Sequence, residues 1–344
     1  MAKKEKSDYN QELSLLRESG PGRLYVLTGA EDYLREAFLD KLREKCLDGA
    51  EEGFNYRRMD GETLTMNALG EAIDAVPFFS DHTLVEVRGF DLNRCRDADA
   101  ERLRAMLCDI PDYCTVAFVQ PVDYELDGRL ALVKTLKKQG RVIVFAEQDG
   151  AALVRWIARR FEHFGKSISR QDAEYLIFTS GALMNRLIPE IDKLSAGVEG
   201  DTVTRRDIDA MTQRLPEARV FDMTEQLGMG KFDEAARSLG EILATKEEPI
   251  MLLALIGLQM RRIYAAKLAA ERHMSTADTM ELTGVRFDFI LRKLQQSARQ
   301  FSLGQLRGIV VMCADYDYRL KSSGQDGREL LRELFAEMAA RVKC

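Results

Sequence analysis

The chain has 344 residues, 46% of them hydrophobic and 31% charged, with a formal net charge of −6. That length points to two or three domains, and the acidic balance supplies no electrostatic footprint for tight autonomous binding to nucleic acid. The longest apolar run, Ile250 to Leu258, falls well short of the ~20 residues a bilayer needs, and the N-terminus lacks an apolar signal segment, so a cytoplasmic protein is expected.

Residues 1–20 read as a tail holding a short polar helix between Lys3-Lys4-Glu5-Lys6 and Ser19-Gly20-Pro21-Gly22. Residues 21–148 alternate two patterns. β-rich runs occur at Arg23–Leu27, Phe54–Met59, Thr83–Val87, Thr115–Val119 and Arg141–Phe145. Between them, Leu34, Phe38, Leu42 and Cys46 recur at helical spacing, as do Leu64, Ala68, Ala72 and Val76. Leu103, Met106 and Leu107 mark a third helix; Leu130, Val133 and Leu136 mark a fourth that stops before Gly140. Such alternation predicts an α/β domain, a parallel sheet covered by helices on both faces.

After Glu147 the strand signal disappears. Residues 149–215 read as a small helical domain with helices at Leu153–Phe164, Ser169–Thr179, Leu183–Ser195 and Thr204–Gln213. Ser169 is the expected N-cap of the second. Pro189 interrupts the third, so that helix is either kinked or begins later. Residues 216–344 read as a larger helical domain: Phe221–Leu227, Phe232–Leu243, Ile250–Arg272, Arg286–Gln300, Leu303–Leu320 and Arg328–Val342.

The turn after the first strand sits where a phosphate-binding loop would sit. A working loop needs G-x-x-x-x-G-K-[ST]: a glycine so the amides can wrap phosphate, a lysine to neutralise it, a hydroxyl for magnesium. Counted from Gly29, the three places hold Leu34, Arg35 and Glu36. The third strand, where paired acids would hold magnesium, ends in Glu86-Val87-Arg88-Gly89. The layout is that of a nucleotide-binding domain whose chemistry has been removed, and neither a nucleotide cofactor nor catalysis is expected. The six cysteines include no Cys-x-x-Cys, and His82, His163 and His273 form no ligand-spaced pattern, so no metal is expected.

This order of domains resembles AAA+ clamp-loader subunits, and local wording narrows the resemblance to the delta subunits of bacterial DNA polymerase III. LYVLTGAEDYLREA is similar to that family's opening strand and helix, with an acidic pair in the phosphate-loop position. DGRLALVKTLKKQGRVIVF resembles its fourth helix and fifth strand, and RWIARRFEHFGKSISRQDAEYLIFTSG with LIPEIDKLSAG its second domain. VFDMTEQLGMGKFDEAARSLGEIL and ADYDYRLKSSGQDGRELLRELF resemble the first and last helices of its collar. The resemblance implies a RecA/AAA+-like α/β domain, a helical lid and a collar that oligomerises. It implies a subunit that grips the beta sliding clamp and helps open the ring, beside the tau/gamma ATPases and delta-prime, for loading onto primer–template DNA. Delta-prime itself fits less well: its zinc-binding cysteines are missing, and Asn93-Arg94-Cys95 follows the third strand, not the fourth. A working ATPase with an atypical loop and a scaffold on the same fold are the other readings.

Leu64 to Val76 reads as a helix ended by Pro77, because proline forces the residue before it out of the helical region. Phe78 and Phe79 follow at once. Two adjacent rings cannot both enter one core from a short turn, so at least one is expected at the surface; one buried and one half-covered ring, with a purely structural role, is the alternative that the residues alone leave open. The family's clamp-binding wedge is a hydrophobic pair at this point. The resemblance carries it onto Phe78 and Phe79, with Pro77 setting the geometry.

Overall fold

The computed structural model describes residues 9–47, 52–78, 80–95 and 97–343. Its internal contacts divide the chain into two compact units, the first holding residues up to Asp149 together with Leu183–Ile188, the second the remainder.

In the first unit, α1 (Tyr9–Ser19) precedes β1 (Leu24–Thr28), α2 (Asp32–Leu47) and α3 (Glu52–Asn55). Then come β2 (Tyr56–Asp60), α4 (Met66–Ile73), β3 (Thr83–Arg88), α5 (Asp97–Cys108), β4 (Cys114–Val119), α6 (Ala131–Gln139) and β5 (Arg141–Val144). All strands of this sheet are parallel, in the order β2-β3-β4-β1-β5. β1 and β4 are buried along their whole length, whereas the edge strand β2 is largely exposed. Successive side chains leave a strand on opposite faces. Leu24 and Val26 therefore join a core with Val85, Val116 and Phe118 and with the apolar faces of α4, α5 and α6. Tyr25 turns the other way onto Phe38 of α2, which also meets Phe145. Gly140 stops α6 where a Cβ would lie 2.5 Å from the Leu24 side chain. The polar helix expected near the N-terminus is α1; its Leu16 is buried and its Glu12 pairs with Arg141 at 2.7 Å.

After Asp149 come α7 (Gly150–His163), β6 (Ser167–Ile168), α8 (Arg170–Ser180), α9 (Met184–Gly197), β7 (Thr202–Val203) and α10 (Arg205–Met211), all in the second unit except the start of α9 up to Ile188, which belongs to the first. They lead into α11 (Pro216–Gly228), α12 (Phe232–Leu243), α13 (Pro249–Glu271), α14 (Thr276–Thr283), α15 (Asp288–Arg299), α16 (Leu303–Ser322) and α17 (Gly327–Lys343). The expectation that strands end at Glu147 is corrected here: β6 and β7 pair in parallel. Two residues are too few to show a period-two pattern, so no sequence signal exists for them. Ser169 caps α8 as expected, accepting from Asp172 N. α9 begins at Met184, one residue later than read from the sequence, and carries Pro189 inside it. α13 is long and apolar enough to cross a membrane by length and composition alone. Its Leu252, Ile256, Met260 and Ile263 are buried, and it packs against α11, α15 and α16. An α/β sheet domain followed by helices is therefore the fold class observed.

Candidate functional site: the loop after the first strand and an exposed aromatic tip

The loop after β1 lies at the C-terminal edge of the sheet, where open α/β sheets place their ligands. Gly29 has φ +119°, and a Cβ there would sit 2.3 Å from the Phe145 carbonyl oxygen, so no other residue fits. Glu31 N donates to that same oxygen at 2.9 Å, tying the loop to β5's end.

Each expected loop residue has a different employment. Leu34 is buried in the core. Arg35, also buried, pairs with Asp32 and reaches the Gly29 carbonyl at 3.5 Å, folding back over its own loop. Glu36 accepts from the two terminal guanidinium nitrogens of Arg88 at 2.9 and 2.7 Å. The structure thus joins the place of the magnesium-binding hydroxyl to the end of the third strand by an ion pair.

That pair continues inward. Arg88 also bonds Glu86, which is fully buried and receives Tyr56 Oη at 2.7 Å and Arg43 at 3.1 Å. Burial alone would raise the Glu86 carboxyl, but hydrogen bonds from Tyr56, Arg88 and Arg43 hold it below its ordinary 4.5. The neighbouring Glu31 goes the other way. It is fully buried and accepts from Met184 N, the first residue of α9, at 3.2 and 3.3 Å. Burial pushes it up to about 7, assisted by Glu147 and Asp32 and opposed by the Met184 amide.

The second site lies between α4 and β3. Thr65 caps α4, accepting from Ala68 N, and α4 ends at Ile73. The expected helix from Leu64 to Val76 is corrected to Met66–Ile73, and its buried face is Met66, Leu69, Ala72 and Ile73. Val76 cannot be helical before Pro77, so the helix closes ahead of it. Val76 is 76% exposed and Phe78 53% exposed. Phe79 lies outside the described residues.

The Phe78 main chain is also held by a residue from another segment. Asn55 Oδ1 accepts from Phe78 N at 2.6 Å and Asn55 Nδ2 donates to Phe78 O at 2.6 Å. Phe54 was expected to begin the second strand; it stands instead in α3, 64% exposed, its ring 5.4 Å from that of Phe78. Its apolar character extended the β-like run Phe54–Met59, and only the polar Asn55 between Phe54 and Tyr56 hinted at a break. The tip is therefore built from two segments, of which the sequence disclosed one.

Two family models match the chain: DNA polymerase III, delta subunit, over residues 25–146, and DNA polymerase III delta subunit, C-terminal domain, over residues 217–338. The DNA polymerase III subunit delta of Bacillus subtilis (strain 168) is 25% identical over 319 residues, 91% of either chain. The probable DNA polymerase III subunit delta of Aquifex aeolicus (strain VF5) is 22% identical over 330 residues, 93% of this chain and 92% of that one. The solved structure of the Bacillus subtilis DNA clamp loader delta protein has the same fold, with a TM-score of 0.54 at 23% identity over 97% of this chain and all of that one. One model covers most of the sheet unit, the other the long helices after Pro216, and by both of them this chain belongs to the DNA polymerase III delta subunit family.

Proposed function

We propose that the chain binds the beta sliding clamp through the tip formed by Phe54, Val76, Pro77 and Phe78, with Phe79 as its sequence neighbour, and helps hold the ring open. The observation that carries this is the combination of exposure and order at Phe78: an aromatic ring more than half exposed, on a main chain held by two short hydrogen bonds. Exposed aromatics cost solubility, and fixed ones lose little freedom on binding, which is the character of an interface anchor. In the cell the work is done in the cytoplasm, within a loader that includes the tau/gamma ATPases and delta-prime and holds a primer–template junction. The chain itself neither binds nor hydrolyses ATP, because Leu34, Arg35 and Glu36 are engaged elsewhere.

Phe78→Ala tests the reading. A buried ring of this size covers about 150–250 Å², and truncating an anchor costs about 2–4 kcal/mol. Clamp binding is expected to weaken by a factor of about 30 or more. Stability should fall by only about 1 kcal/mol, the worth of the ring contact with Phe54. Titration against the clamp and a urea midpoint on the same protein check both. Retained affinity removes the tip from the interface, and a large loss of stability makes Phe78 a core residue.

A further inference from the structure

We infer that Asn55 is a positioning residue of the clamp-binding tip, aiming the Phe78 ring outward through its hold on that residue's main chain; the inference rests on the clamp-binding reading above. Asn55 is 2% exposed and ends α3 immediately before the edge strand β2. A buried side-chain amide must find partners for its acceptor and its donor. Here both go to one residue, 23 positions later, at 2.6 Å each.

The pairing imitates one rung of a β-ladder, with a side chain standing in for the partner strand. It is needed because the described residues between α4 and β3, from Asp74 to His82, form no helix or strand that could hold Phe78. Pro77 fixes one φ, and beyond the tip Ser80 Oγ donates to the His82 carbonyl at 2.9 Å. The Phe78 backbone itself is held by Asn55. The same dipeptide supplies Phe54, so one short helix contributes an inward anchor and an outward ring side by side. Without the anchor, the Phe78 main chain would lose these two bonds, and the entropy of fixing it on the clamp would be lost from affinity.

The experiment is a double-mutant cycle on the full chain, with the sliding clamp of the same organism as the titrant. It uses Phe78→Ala, Asn55→Ala and the two together, each with a urea midpoint. Asn55→Ala is expected to weaken clamp binding about tenfold in the wild-type background. In the Phe78→Ala background it should add less than about twofold, because the ring it aims is gone. A residue that matters only to the fold would give the same loss in both backgrounds, and that result overturns the inference. If Phe78→Ala weakens binding but Asn55→Ala stays within about twofold, the inference is likewise overturned while the clamp reading stands. If Phe78→Ala itself changes nothing, the clamp reading fails first. Should Asn55→Ala not fold, Asn55→Asp runs the same cycle and is judged by the same outcomes, since an ionised carboxylate keeps the shape and the bond from Phe78 N but cannot donate to Phe78 O.

Discussion

Two buried carboxylates within the sheet unit titrate in opposite senses. Glu86 is held below its ordinary value, so its contribution to stability is present above pH 4.5 and is lost as pH falls below that. Glu31 is raised from 4.5 to about 7, so the folded chain binds its proton more tightly than the unfolded chain, and stability declines as pH rises between those values. Glu31→Gln should therefore abolish a downward slope in the urea midpoint between pH 4.5 and about 7, leaving the acid side unchanged. Glu86→Gln should remove the acid-side loss and, because Arg43 keeps Asp40 and Arg88 keeps Glu36, cost only about 1–2 kcal/mol at neutral pH for the hydrogen bonds weakened. Midpoints across the range for the three proteins check both signs; a Glu31→Gln protein that keeps the slope would assign it to another group.

At the scale of elements, all five strands of the large sheet were legible: inner strands buried on both faces read as continuous apolar runs such as Cys114–Val119, while the exposed edge strand β2 was found but begun two residues early. The long helices were legible too, from their periodicity, apart from α14, whose buried residues are two threonines and which therefore lacks an apolar stripe. What escaped was short or held by distant partners. α3 has four residues, and nothing local reveals that Asn55 answers Phe78. That Leu34, Arg35 and Glu36 stand where a phosphate loop has its glycine, lysine and hydroxyl is read in the sequence, but the pairing of Glu36 with Arg88 is a tertiary fact. α9 keeps Pro189 in its interior, where a ring with no N–H leaves the carbonyl of Asn185 without its helical donor. Pro189→Ala restores that donor and should raise stability by about 1–3 kcal/mol, read from the urea midpoint. A lowered midpoint would mean that proline's restriction of the unfolded chain outweighs the missing bond.

For the whole molecule, the proposed division of labour assigns the clamp to the sheet unit and the other loader subunits to residues 216–344. On α16, Val311 and Tyr318 are 53% and 72% exposed and, seven residues apart, share a face. Changing both to glutamate touches no core and should leave folding within about 0.5 kcal/mol. Clamp affinity should be untouched, while co-purification with tau/gamma and delta-prime is reduced. A variant that assembles normally would free that face from the collar.

Glu31 bears on the loop after β1 in a second way. Its carboxylate already receives the Met184 amide, the sort of helix-terminal donor that elsewhere greets a phosphate. The amide is in this sense already answered, by an acceptor encoded in the same chain. Reinstating the missing chemistry with Leu34→Gly, Arg35→Lys and Glu36→Thr should consequently leave calorimetric titration with magnesium and ATP flat. A tenant that is part of the wall has to be removed first, and only with Glu31→Ala added does the loop offer an unclaimed amide.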